Sequence, residues 1–328
     1  MTTPPKTAAS HAVHLGAGEL WALGSALSYS LTNVYTGLAA RGEPMNYFLG
    51  VALRATPAFL LAMALALGAL RKRAASSAAR CEATISPPAI TAAARAGVNL
   101  NLVLFASGLC TFVIGNPLLF AALRAGGILV ATPITGTHVL WGALFAALLL
   151  HEPLNRRMLL AMLVSVAGVV VLTLGRTAQL TLTPGWWVAV PYAAVTAISW
   201  AMGGVLSAYA LRRGVDRFRA LATTSGTALI CLNAYLLLSG QIGSYVTTAR
   251  APVVSSLTAG LFNAAALVCS ISAFALTSVA SASTLGSLQI AASPLIAWLF
   301  LGEELNGAMA LGILLITLGV IGVQRSRL

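Results

Sequence analysis

ALFAALLLHEPLNRRMLLAMLVSVAGVVVL (residues 143–172) and SPLIAWLFLGEELNGAMALGILLITLGVIGV (residues 293–323) follow one plan. In each, an apolar run ends at Leu-x-Glu-x-Leu-Asn (150–155 and 301–306), and a second apolar run begins at once. The shift from Leu150 to Leu301 is 151 residues, and it also lays Ala131 on Ala282 and Gly168 on Gly319. Further back, ALSY (26–29) resembles AISW (197–200) at a larger shift, as an insertion confined to the first half would require. The chain reads as one unit, duplicated.

The runs are membrane spans. A span needs about 20 mostly apolar residues. Ten such runs are present, at 19–39, 46–70, 98–122, 125–150, 157–175, 186–211, 218–239, 252–275, 278–301 and 306–323. They are helices, because backbone polar groups in hydrocarbon must be satisfied within the segment. Barrel strands would need only about ten alternating residues each. Composition agrees: 59% of the 328 residues are hydrophobic and only 8% are charged. The mean hydropathy is +0.90. A soluble fold of this size could not cover its surface.

The net charge of +12 does not point to nucleic acid, because the Lys and Arg residues sit in short clusters between apolar runs. With the N-terminus inside, fourteen of the 19 fall on inside segments and four (Arg41, Arg124, Arg176, Arg250) on outside ones, with Arg54 within a span. This positive-inside bias puts both termini in the cytoplasm of a bacterial-type inner membrane. No cleavable signal peptide is read at the N-terminus. The expected organisation is a cytoplasmic tail (1–18), a first five-helix repeat (19–176) and a second repeat (177–328). The first repeat carries a flexible cytoplasmic loop from Arg71 to about Gly97. Five is odd, so the second copy enters the membrane inverted. Inverted repeats are common in secondary transporters, whose substrate site lies at the repeat interface near the midplane.

The two copies, each ending in Leu-Gly/His-Glu-x-Leu-Asn and a span closing near Gly-Val, resemble the EamA-type drug/metabolite transporter superfamily. The family pattern places a glutamate at Glu303, and Glu152 is its first-half counterpart. The family's proline before that glutamate is displaced: Pro294 falls about one turn late, and Pro133 earlier in the first copy. The resemblance implies ten spans, alternating access, and export of amino acids or related metabolites.

Polar groups inside spans are the candidate site residues, since each is costly unless paired or wetted. Thr135, His138 and Gly142 share a helical face by their spacing, and the repeat maps them onto Gly286, Gln289 and Ser293. The first span offers Ser25, Tyr29, Thr32 and Thr36 with Asn33 beside them; the third Asn99, Asn101 and Asn116; the eighth Asn263 and Ser270. Trp200 could stack on an aromatic cargo or simply pack. The expected substrate set is Tyr29, Asn33, Asn116, Thr135, His138, Trp200, Asn263, Ser270, Gln289 and Ser293, in a cavity between spans 1, 3, 4 and 6, 8, 9. His138 is the mid-span group that titrates near neutrality, and so the proton-coupling candidate. Arg54 either pairs with Glu43, meets a substrate carboxylate, or snorkels outward. Prolines 57, 117, 133, 191 and 294 favour kinks.

All seven acidic residues fall at span edges or in loops, which disfavours cationic cargo. Glu152 and Glu303 are expected to anchor span ends or pair with groups such as Arg156. The cysteines form no CxxC pair, and no metal, cofactor or nucleotide-binding loop is read. An intramembrane enzyme would need a nucleophile–base pair or metal cluster at depth, and no HExxH or GxSxG motif occurs. A channel remains open as a reading. A nucleotide-sugar or sugar-phosphate carrier would want several deep basic residues. The expectation is a transporter of a small neutral or zwitterionic metabolite, amino acids first. Its partners are a small-molecule substrate and the lipid bilayer, without nucleic acid, as a monomer or homodimer.

Overall fold

The computed structural model describes residues 16–40, 46–80, 99–176, 185–301 and 304–326, all of them helical or connecting. Among these residues no strand occurs. The helices of the first repeat are α1 (Ala17–Ala40), α2 (Tyr47–Arg80), α3 (Leu100–Gly108), α4 (Asn116–Gly136), α5 (His138–Leu150) and α6 (Arg156–Arg176). Those of the second are α7 (Ala189–Arg212), α8 (Arg217–Leu238), the short α9 (Ser244–Thr247), α10 (Arg250–Leu276), α11 (Val279–Gly286), α12 (Leu288–Leu301) and α13 (Gly307–Arg325). A π-helical segment, Leu109–Gly115, joins α3 to α4.

Nine stretches of the described residues are long and apolar enough to cross a membrane. The tenth crossing is α1. Its 24 residues suffice in length, but Ser25, Ser28, Tyr29, Ser30, Thr32, Asn33 and Thr36 make it polar. It is held in the bundle by α10 and α12.

The two copies pack against each other in a symmetric pattern. α1 packs on α10, and its counterpart α7 packs on α3 and the π segment. α2 packs on α8, α5 on α11, and α6 on α13. The α6–α13 contact shows why glycine recurs there. A Cβ on Gly168 would lie 2.6 Å from the Ile316 amide nitrogen, and one on Gly175 would lie 2.7 Å from that of Met309. Small residues let backbones touch where lipid gives no hydrophobic drive to associate. The outer surface is apolar: Ile230, Leu261 and Phe300 are exposed, as lipid-facing side chains are.

The repeated Leu-Asn pair has a local reason. Asn155 and Asn306 accept hydrogen bonds from the Arg157 and Met309 amides (3.1 and 2.9 Å), so each caps the last helix of its repeat. Glu152 is an anchor, but its partner differs from the expected Arg156. It pairs with Arg212 and accepts from the Val279 amide at 3.0 Å, at the N-terminus of α11. Arg156 lies in the first turn of α6, whereas Arg212 ends α7 beside the α5 terminus. Glu303 and Glu43 lie outside the described residues.

Two boundaries differ from the sequence reading. α2 does not stop at Arg71 but runs on as helix to Arg80, because RKRAASSAAR is rich in helix formers. The remainder of the expected loop, 81–98, lies outside the described residues. Spans 4 and 9 are interrupted at Thr137 and Ser287, not at their prolines, which stay inside helix. Both interruptions follow a glycine, Gly136 and Gly286, and Gly-Ser-type pairs are common kink sites.

Candidate functional site

A cavity of about 280 Å³ lies between the repeats. Eight of the ten expected residues line it: Tyr29, Asn33, Asn116, His138, Trp200, Asn263, Ser270 and Gln289. They come from both repeats, and two pairs are related by the internal duplication. Tyr29 and Trp200 are matched by the ALSY/AISW alignment, and His138 and Gln289 by the 151-residue shift.

The pairing extends to hydrogen bonds. One turn before Tyr29, Ser25 bonds Ser270 of α10 at 2.6 Å. One turn before Trp200, Thr196 donates to the Gly115 carbonyl at 3.2 Å. Each aromatic ring therefore stands one turn from a polar tie between the first helix of one repeat and the third span of the other. Trp200 is pressed close to Gly115, where a Cβ would lie 2.5 Å from its Cδ1. It meets the His138 ring edge-on, with centroids 6.1 Å apart.

His138 begins α5 just after the Thr137 break. Its Nδ1 is 3.0 Å from the Thr135 carbonyl. A carbonyl only accepts, so Nδ1 carries the hydrogen and Nε2 is the nitrogen left to exchange a proton.

Thr135 and Ser293 do not line the cavity. Thr135 is buried, and its hydroxyl donates back to Ala131 and Thr132. The break at Thr137 takes it off the face that His138 presents. Ser293 donates to the Gln289 carbonyl and accepts weakly from Asn33 at 3.4 Å. Asn99 caps α3, and Asn101 accepts from Arg219, so both serve the end of the bundle.

The cavity also draws on spans 2 and 7, which the sequence reading left out. Val51, Arg54 and Ala55 of α2 and Thr224 of α8 line it. So do Ser107, Thr111 and Ser207. Ser107 donates to the Gly203 carbonyl at 2.7 Å and bonds Ser207 at 2.8 Å. Arg54 does not snorkel away, and its expected partner Glu43 lies outside the described residues. Its guanidinium lies 5.9 Å from the Phe120 ring centroid, at the cavity wall.

The model of the EamA-like transporter family matches residues 16–174 and again 187–325. The chain belongs to the EamA-like transporter family. This transporter is thus a multi-pass membrane protein built from two copies of the family unit. No curated protein matches the sequence. A solved structure described only as the crystal structure of a protein shares 21% identity with the transporter. It superposes with a TM-score of 0.68 over 94% of this chain and 98% of its own, which shows a shared fold.

Proposed function

We propose that the transporter is a secondary carrier that exports a small metabolite, amino acids first, by alternating access. The observation that supports it is the cavity itself. It lies between the two repeats, is of small-molecule size, and mixes aromatic walls (Phe112, Trp200, Phe274) with amide and hydroxyl groups from both copies. Inverted repeats rocking about such a site expose it to each side in turn. The Lys and Arg distribution supports an inner-membrane location with both termini in the cytoplasm. His138 is the candidate for proton coupling, through Nε2. Arg54 is the one Lys or Arg among the described lining residues, which suits a single acid group better than a phosphate-rich cargo.

Counterflow tests this reading. Proteoliposomes preloaded with unlabelled amino acids are expected to take up labelled amino acid saturably. His138→Ala and Gln289→Ala are each expected to reduce that uptake by tenfold or more, on the order of 1.4 kcal/mol. Absence of counterflow with any amino acid, from folded wild-type protein, would remove amino acids as the cargo.

A further inference from the structure

Arg54 stands seven residues into α2 and lines the cavity from span 2. A guanidinium keeps its charge at every accessible pH. A charge held away from bulk water is costly unless something pairs with it. Among the described residues no carboxylate does. Glu19 accepts from Thr277, Glu152 pairs with Arg212 and Asp216 caps α8, all at helix ends, and Glu304 is exposed between α12 and α13. Among the described residues no Asp or Glu lines the cavity. The Phe120 ring faces the Arg54 cation, and Tyr29 lines the same cavity with a hydroxyl that can donate a second hydrogen bond to an acid.

The cavity is therefore charge-asymmetric. It offers a fixed cation and a phenol to a carboxylate, and aromatic walls to an apolar body. For an ammonium group it offers only neutral acceptors such as Asn116, Asn263 and Gln289. Building on the carrier reading above, we infer that the carboxylate, held by Arg54 with Tyr29 beside it, is the required group of the cargo. The ammonium group of an amino acid is dispensable, and the site takes simple monocarboxylates with an apolar tail.

Three probes of one shape separate the charges: 3-phenylpropanoate (acid only), L-phenylalanine (both groups) and phenethylamine (ammonium only). The full chain in lipid nanodiscs is titrated with each, and binding is read from tryptophan fluorescence and from the shift in melting temperature. The two acids are expected to bind, with 3-phenylpropanoate at least as tight as L-phenylalanine, and the amine at least tenfold weaker. Arg54→Gln should weaken both acids by about ten- to a hundredfold, the range for a charged hydrogen bond, without changing the amine. Arg54→Lys, which keeps the charge but loses the fork, should retain part of the acid binding. The comparison within wild-type protein needs no variant, so it stands even where Arg54→Gln fails to fold. Amine binding equal to or tighter than that of 3-phenylpropanoate overturns the inference. So does unchanged acid binding in a folded Arg54→Gln protein. Amino-acid counterflow that proceeds while 3-phenylpropanoate neither binds nor competes also sinks the inference, but leaves the carrier reading intact. Absence of counterflow for every solute defeats the carrier reading instead.

Discussion

Gly115 and Trp200 set the shape of the cavity at the residue scale. The indole sits where any side chain on residue 115 would be, with Cδ1 2.5 Å from the position of a Cβ. Gly115→Ala must therefore push Trp200 and alter the wall it shares with His138. Overpacking of this kind costs about 1–3 kcal/mol. The expected outcome is a lowered melting temperature together with weaker cargo binding, measured on purified protein by thermal denaturation and titration. Unchanged affinity would show that Trp200 is a packing residue only. Tyr29 and Trp200 could be found in the sequence because the ALSY/AISW match marks both helices at the same depth. Ser107 and Thr111 could not. Ser107 is a lone small hydroxyl in an apolar run, and Thr111 lies within the π-helical segment Leu109–Gly115, whose wider turn moves it off the face counted at 3.6 residues per turn. The cause is local: Pro117 follows, and a proline removes one amide donor from the ladder. Arg54 was visible as a cation within a span, yet nothing in its neighbours along the chain told which way it faced.

The pairing of α6 with α13 is the element most dependent on glycine. Adding a methyl group at Gly168 would place it 2.6 Å from the Ile316 amide and 2.9 Å from the Gly312 carbonyl, both backbone atoms that cannot rotate away. Alanine gains roughly 1 kcal/mol in helix propensity over glycine. The overpacking cost of about 1–3 kcal/mol exceeds that gain. Gly168→Ala is therefore expected to melt earlier than wild type. Gly307, in the first turn of α13, has nothing within 4 Å of its Cβ position. Gly307→Ala is expected to be neutral or stabilising by up to about 1 kcal/mol. Equal melting of the two variants would contradict the close crossing. Spans were the most readable level of the structure, because length and apolarity alone define them. Their interruptions were not. Pro133 and Pro294 drew attention as breakers, whereas helix continues through both and the breaks follow Gly136 and Gly286. A membrane helix tolerates proline when neighbouring groups satisfy the freed carbonyl, and that depends on tertiary contacts.

On the scale of the whole molecule, one end of the bundle is stitched across the repeats. Glu152, at the close of α5, reaches Arg212 at the end of α7 and the first amide of α11. Glu19 of α1 accepts from Thr277 beyond α10, at 2.6 Å. Among the described residues the second carboxylate oxygen of Glu152 is buried without a hydrogen-bond partner, which lowers the net worth of this tie. The alternating access proposed above requires such an end to part. Glu152→Gln keeps an acceptor for the Val279 amide and removes the charge that holds Arg212. Arg212 is 37% exposed, so solvent screening limits the loss to about 1 kcal/mol, or roughly fivefold in population. Ser283 lines the cavity from α11 and reports on that opening. In a cysteine-free background, Ser283→Cys should react about fivefold faster with a membrane-impermeant thiol reagent applied from this end once Glu152→Gln is added. Reagent from the opposite side should react more slowly, because opening one end of a rocking carrier closes the other. Equal acceleration from both sides would mean that the substitution loosens the bundle generally, and that the ties at this end support the fold without gating the cavity.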